Sequence, residues 1–484
     1  TGGDIYSCQN EATITGSGNY VGGIAGIAYN GTIESCKNLG SVTGVNYVGG
    51  LSGKTAGMTI KYAVNGKSGD SSVAKISGSE YIGGLIGYMD NDSLTNSSSS
   101  NQNNQNYAAV ESTTLKGYVG GIIGYAGNVT ISTAVNSGPV KGGWRVGGIV
   151  GTLSGGTIEG DNFGSSFQII NNGTIQGYEQ VGGIVGNAQN PSSNYEVHIR
   201  YASNTGTIYC LGRDTDKQSY PITISSSFAW TFRSTLTQLD SSCRIAGIGG
   251  IVGFCSVSVS DVKNSGSVTM INGNYGSSMS VDHSEGANLS SDPPWTITIS
   301  NALAGFGGII GYFSGNQILM AAQLVGSPSI GHASGNYGTA CVGGLVGYMI
   351  EGTCMDSNTS SSMSSVSING SYFAGAVVGF SGATRAAATT IYYGFYDEST
   401  NTFHVINSKT IVANNVQASY NQKVTLNIHN STYNGGSGYN GSSNWRDMGG
   451  GGYKDNWVTN GPRVGRMVDG STYHVTDPDG TLSG

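Results

Sequence analysis

Charge is the scarcest property of this sequence. Asp, Glu, Lys and Arg make up 10% of its 484 residues, where an ordinary globular chain has about a quarter. The 21 basic and 28 acidic residues leave a net charge of −7 with no basic block, so neither nucleic acid nor an anionic membrane is an expected partner. No apolar run approaches the 18 or so residues of a membrane-spanning helix. None of the seven cysteines forms a C-x-x-C pair, which leaves a zinc or thiol-redox centre without support. The six histidines contain no H-E-x-x-H pattern and the chain no G-x-S-x-G elbow, so two common catalytic signatures are missing. The first residue is Thr1 rather than Met, as expected of a chain that has lost a signal peptide or of a fragment.

What the sequence has instead is glycine, 81 residues of it, with abundant Ser, Thr, Asn and Tyr. Much of the glycine falls in a repeat. An aromatic or apolar residue followed by Val-Gly-Gly-Ile-Val-Gly returns with its glycine pair at Gly22, Gly49, Gly83, Gly120, Gly147, Gly182, Gly249, Gly307 and Gly343, and a decayed copy runs from Phe373 to Gly379. The successive spacings are 27, 34, 37, 27, 35, 67, 58, 36 and 32 residues. Periods of this size mark stacked supersecondary units. Within one unit three segments read as strands: Thr-Ile-x-x-Cys, Gly-x-Val-x-Gly and Val-Gly-Gly-Ile-x-Gly. Their alternation of apolar with small polar residues is the period of a strand with one buried face. Three strands and three turns would close one coil of a parallel β-helix, pairing with the next coil at about 4.8 Å. The expected fold is therefore all-β: a β-solenoid of about ten to twelve coils with loop insertions and a divergent C-terminal β region.

The glycine pairs are expected to serve the turns, through backbone angles closed to other residues and through close passage of neighbouring coils. Asn10, Asn38, Asn65, Asn136, Asn204 and Asn264 share one place in their units and are expected to form a ladder of amides at another turn. Tyr88, Tyr125, Phe254, Tyr312, Tyr348 and Phe380 follow the motif and read as one aromatic ladder. Gly49 to Thr55 looks like a phosphate-binding loop but is one residue short between its glycines, so architecture is the preferred reading.

The copies Gly84-Leu85-Ile86-Gly87, Gly121-Ile122-Ile123-Gly124, Gly148-Ile149-Val150-Gly151, Gly183-Ile184-Val185-Gly186, Gly250-Ile251-Val252-Gly253, Gly308-Ile309-Ile310-Gly311 and Gly344-Leu345-Val346-Gly347 resemble the GLUG motif family, and Gly50-Leu51-Ser52-Gly53 does so loosely. The resemblance covers about residues 1 to 383. It implies a secreted or surface-attached microbial repeat scaffold, such as an adhesin, and brings no catalytic residue or cofactor with it.

Residues 1–384 thus read as the solenoid, with insertions near 92–106, 211–244 and 272–297, and 385–484 as a C-terminal β-rich region, a cap or subunit-contact module. Departures from a repeat are where binding residues concentrate. The candidate ligand or partner contacts are Arg213, Asp214, Asp216, Trp230, Trp295, Trp445 and Trp457, the four tryptophans lying outside the motif. As disulfide candidates Cys243 with Cys255 and Cys341 with Cys354 are preferred. Cys8 and Cys36 occupy one repeat position within bonding range, but an unbonded ladder is favoured there because Ala63 and Ala134 fill the same position. Asp214 with Asp216, and Asp282 with Glu285, are the best carboxylate pairs for a polysaccharide-degrading site. Neither has an acid–base partner at a suitable spacing, and solvated surface is the preferred reading. Ten N-x-Ser/Thr sequons are about the number chance would give in this composition, so glycosylation is permitted without being argued.

The expected function is an extracellular structural or adhesive scaffold without catalytic activity or cofactor. Self-association is its expected partnership, because repeat one begins at Asp4-Ile5 with no cap ahead of its open edge. A carbohydrate-binding module is the alternative, and a β-helix enzyme acting on polysaccharide a more distant one.

Overall fold

The computed structural model describes residues 2–71, 74–96, 103–114, 117–160, 168–191, 197–212, 222–228, 231–236, 246–271, 278–283, 295–300, 304–314, 317–331 and 341–349, and then the strand segments 353–357, 366–370, 373–375, 378–381, 389–397, 402–411, 415–418, 424–428 and 472–476. These residues form strands and turns with no α-helix, and none of their elements is a helix long and apolar enough to cross a membrane. The chain divides into two compact units, Thr1–Cys210 with Ile248–Ser267, and Leu211–Gly247 with Val268–Gly484.

The first unit is a parallel β-solenoid whose coil has four faces rather than the three read from the sequence. A long face carries strands such as Ala25–Glu34, Ser52–Lys61, Ile123–Ile131 and Val150–Glu159. An asparagine face of short strands follows, among them Lys37–Asn38, Val64–Asn65 and Ala134–Asn136. A valine face comes next, with Val42–Thr43, Lys75–Gly78 and Ala109–Ser112. The glycine face, with Asn46–Gly49, Glu80–Gly83 and Trp144–Gly147, completes the coil. All pairings between coils in this unit are parallel and in register, for example Ile33 with Ile60, Asn38 with Asn65, Val42 with Ile76 and Val48 with Ile82.

Register explains the core. A strand alternates its side chains, so in-register stacking puts one residue type above its copy and the interior becomes columns of aliphatics. Ile33, Ile60, Leu94, Ile131, Ile158, Ile199 and Val259 are one such column, and Leu51, Leu85, Ile122, Ile149, Ile184 and Ile251 another, all buried completely.

The glycine pairs work by close approach alone. None of Gly22, Gly23, Gly49, Gly50, Gly120, Gly121, Gly147 or Gly148 has a left-handed φ, which corrects the expectation that their backbone angles are special. A Cβ on Gly148 would lie 2.1 Å from the carbonyl oxygen of Gly183 and 2.4 Å from the Asn171 side chain. The second glycine of each pair thus leaves room for the asparagine column. The left-handed corners fall elsewhere, at Ser7, Ser35 and Tyr62, at Asn30, Asn91 and Asn128, and at Tyr20, Tyr47 and Tyr81.

The asparagines lie in strands, not in the expected turn. Nδ2 of Asn10 donates to Oδ1 of Asn38, and the chain of bonds continues through Asn65, Asn106, Asn136, Asn171 and Asn204 to Asn264 at 2.7–2.8 Å per link. The second amide hydrogen of Asn38, Asn106, Asn136, Asn171, Asn204 and Asn264 goes to the carbonyl two residues on. Asn106 and Asn171 extend the ladder beyond the six residues expected.

The stretch 92–106, read as an insertion, contributes strands Ser93–Thr95 and Gln105–Asn106 to the coil, and Asp92 is buried. Its polar composition resembles a loop because it supplies Asp92, Asn104 and Asn106 to buried hydrogen bonds.

In the second unit, parallel columns join Gly307 with Gly343, Ile310 with Val346 and Ile330 with Ile368. Gly308 faces the Leu324 side chain where its counterparts face asparagine. Past the last glycine pair the parallel pairing goes on: Asn415–Ala418 lies beside Thr353–Ser357, and Val424–Ile428 beside Val366–Gly370. Thr389–Asp397 and Thr402–Ile411 form an antiparallel pair. The strands described within the insertions near 211–244 and 272–297 pair with one another. Ile222–Phe228 pairs antiparallel with Thr231–Leu236 and with Trp295–Ser300, which also pairs with Ser278–His283.

Candidate functional site: a tyrosine ribbon

The residue before each Val-Gly or Ile-Gly of the glycine face points outward, because the next residue, Val48, Ile82 or Val119, is the one in the core. In the first four complete copies this outward residue is Tyr20, Tyr47, Tyr81 and Tyr118, and in the next two Arg145 and Gln180. In-register coils bring the rings into a stack. Their centroids lie 4.7, 4.6 and 4.6 Å apart, with interplanar angles of 18°, 3° and 5°. The spacing is that of the strands themselves, so the backbone sets the stack and each stacked pair adds about 0.5–1.5 kcal/mol.

A second column runs beside the first on the long face: Ile27, Lys54, Tyr88, Tyr125, Thr152, Asn187 and Phe254, in register, with Thr152 and Asn187 buried. Tyr88 and Tyr125 stack at 4.8 Å. Across the two columns the rings meet edge to face, Tyr81 against Tyr88 at 5.6 Å and Tyr118 against Tyr125 at 5.7 Å. The single aromatic ladder expected through Phe254 to Phe380 is interrupted, since Thr152 and Asn187 stand between Tyr125 and Phe254. In the second unit Tyr312 and Tyr348 stack at 5.2 Å.

Cations flank the ribbon. Lys54 Nζ lies 5.0 Å from the Tyr88 centroid, and the Arg145 guanidinium 4.7 Å from that of Tyr118. Arg145 Nε donates to Gln180 Oε1 at 3.3 Å, and the same oxygen accepts from Asn187 Nδ2 at 2.6 Å. Burial, then the neighbouring Tyr125 and Asp90, pushes the Tyr88 phenol up to about 12. Burial, followed by Tyr118, Tyr47 and Glu80, raises Tyr81 further, and burial also raises Tyr47. These three phenols therefore stay neutral over the physiological range and present ring edges that can donate hydrogen bonds. Ring faces are consumed by stacking, save at the end of the row, where Tyr20 is 36% exposed.

Arg213, Asp214, Asp216, Trp230, Cys243, Glu285, Trp445 and Trp457 fall outside the described residues. Trp295 opens the strand Trp295–Ser300 and pairs with His283, with Asp282 opposite Thr296. Cys341 and Cys354 lie in strands Cys341–Gly343 and Thr353–Ser357. Cys255 is a buried free thiol whose Sγ hydrogen bonds the Val257 carbonyl. Among the described residues no group of three or more His, Cys, Asp or Glu side chains could hold a metal ion. His198, read as a surface or turn residue, sits in a strand with Nε2 3.1 Å from Glu159 Oε2, beside Arg200. The ribbon itself was legible only as an aromatic recurring before Val-Gly-Gly.

The family model described as the GLUG motif matches residues 17–43. That span of 27 residues is one full coil, from the turn before Tyr20 through the glycine pair, Ile33 and Asn38 to Val42. Neither a curated protein nor a solved structure matches the chain.

Proposed function

We propose that this GLUG-motif repeat chain is an extracellular structural or adhesive scaffold, and that the tyrosine ribbon is its contact surface. The observation that carries the reading is the division of labour in the first unit. Its interior is given to aliphatic columns and an amide ladder, which make a stiff rod of repeats, while its aromatic residues are turned outward and locked in one geometry. Preorganised tyrosines give a large contact area at little entropic cost when a partner binds. Stacking of a sugar ring needs an open aromatic face, and here the rings cover one another, which favours protein contact over the carbohydrate alternative. The reading includes self-association and assigns no catalytic step.

The test is adhesion of beads coated with the full chain to protein-coated and to polysaccharide-coated surfaces. The comparison is a variant carrying Tyr47→Ser, Tyr81→Ser and Tyr118→Ser. Serine already occupies left-handed corners at Ser7 and Ser35, so the coil tolerates it there. The proposal expects the wild type to adhere to protein and the variant to lose most of that adhesion with its β-sheet spectrum unchanged. Equal adhesion by both would overturn it, and adhesion confined to polysaccharide would favour the alternative. Light scattering of the full chain against concentration tests self-association separately.

A further inference from the structure

The asparagine column has beside it a second, shorter column that contains sulfur. Tyr6 pairs with Glu34 ahead of Cys8 and Cys36, and Gln9 with Lys37 behind them. The two cysteines are therefore in register on adjacent coils, and their backbones are tied directly: Lys37 N–H donates to the Cys8 carbonyl at 2.8 Å, and Ser7 N–H to that of Glu34 at 2.9 Å. In-register neighbours lie about 4.8 Å apart, inside the Cα separation of about 4.4–6.8 Å that a disulfide spans. Each Sγ donates to the carbonyl two residues back, Tyr6 for Cys8 and Glu34 for Cys36, both at 3.4 Å. Cys36 also reaches back to the Ile5 carbonyl at 3.5 Å. Both are free thiols, Cys8 exposed and Cys36 fully buried.

We propose that Cys8 and Cys36 are a disulfide site, closed by thiol–disulfide exchange with a low-molecular-weight disulfide, that clasps one coil of the solenoid to the next. Cys8 is the entry point because a reagent can reach it. Its thiolate attacks one sulfur of the small disulfide, giving a mixed disulfide and expelling one thiol. Cys36, having lost its proton to solvent base, then attacks the Cys8 sulfur and expels the second thiol. Two S–H bonds are lost, one S–S bond forms, and the reagent's S–S bond is reduced to two thiols. Closure requires Cys8 to turn about χ1, since the two side chains now share one orientation, and its exposure leaves it free to do so. Burial raises the Cys36 thiol above its ordinary range, which makes the second step the slow one. The ring closed contains one complete coil, so the bond opposes fraying of that coil from its neighbour.

The experiment compares the full chain after incubation with oxidised and with reduced glutathione. Peptide mapping without reduction is expected to join the Cys8 and Cys36 peptides, about 2 Da lighter than their sum. Amide exchange over residues 5–15 is expected to slow about tenfold or more on oxidation. Cys8→Ser should abolish both effects. Cys36→Ala, which copies the Ala63 of the next coil, should stop at a glutathione adduct on Cys8. If both cysteines remain alkylatable after oxidation, or Cys8 is found bonded to a different cysteine, the site is wrongly assigned. If the bond forms but exchange over residues 5–15 is unchanged, the clasping role is overturned.

Discussion

At the scale of single residues, the solenoid depends on polar and small side chains at fixed places in the coil. Asn136 accepts from Asn106 and donates to Asn171 and to the Gly138 carbonyl. Asn136→Ala removes three buried bonds and leaves an Asn106 N–H and the Gly138 carbonyl without that partner, while Asn171 Oδ1 keeps the Gly173 N–H, so a loss of about 3 kcal/mol is expected in chemical denaturation. Gly148→Ala forces a Cβ against a backbone carbonyl and should cost about 3 kcal/mol. Gly18→Ala, where nothing lies within 4 Å, should be close to neutral, and parallel melting curves of the two variants check the contrast. Asp92 stands at an inward position where the neighbouring coils place Met58 and Val129. Its carboxylate accepts from the Met58 N–H, the Thr55 hydroxyl and the Asp90 N–H, yet burial outweighs them and pushes it up from 3.8 to about 6. An acid raised in this way keeps its proton in the folded state while the unfolded chain has released it. Stability therefore falls as pH rises from about 4 to about 6, by about 3 kcal/mol, and is flat above. Asp92→Asn should remove that slope in denaturant titrations across the same range.

At the scale of elements, each face contributes a different column, and the tyrosine ribbon is where a column becomes a surface. A left-handed corner costs a residue other than Gly about 1–2 kcal/mol, and Tyr20, Tyr47 and Tyr81 accept it at φ of 60°, 55° and 45°. Arg145 and Gln180 hold the same corner at φ of 50° and 52°, so the corner belongs to the coil, and ring stacking offsets its cost only where tyrosine stands there. Ultraviolet titration checks the arrangement. The phenols of Tyr47, Tyr81 and Tyr88, raised chiefly by burial, should ionise well above the ordinary phenol range. Because the folded state holds these protons longer, stability should fall as pH climbs from about 10 toward 12. Tyr81→Ser should open the Tyr47 ring to solvent and bring its titration down; an unchanged titration curve would show that burial in the stack does not set it.

For the whole molecule, the governing fact is that coils touch their nearest neighbours and little else. Damage should therefore spread locally. In hydrogen exchange on Asn136→Ala, protection is expected to drop in the coils of Asn106 and Asn171 and to hold in the coil of Asn38. A uniform drop along the first unit would mean a single cooperative core instead of a chain of coupled repeats. The antiparallel sheet of the second unit keeps to nearest-neighbour logic, since Ile222 and Ile299, which pair, come from consecutive repeats.

The sequence by itself determined the repeat and the all-β parallel stacking, because in-register coils demand the same residue at the same place and so write the architecture as a period. The glycine pair, the Val and Ile columns and six of the asparagines were readable for that reason. Asn106 and Asn171 escaped because insertions shift their phase; the signal that finds them is an asparagine followed two residues later by Gly or Ala, as in Asn106 with Ala108 and Asn171 with Gly173. Tertiary structure alone decided the rest. That the coil has four faces follows from the bend within the glycine motif, where strand Asn46–Gly49 ends and Ser52–Lys61 begins. The glycines sit there to admit a carbonyl and an amide from the next coil, a contact no local pattern contains. Asp92 is hidden because the donors that satisfy it include Thr55 and Met58 on the preceding coil. Strands of the two insertions pair with one another, Ile222 with Ile299, a contact between residues so far apart in the chain that no local pattern contains it.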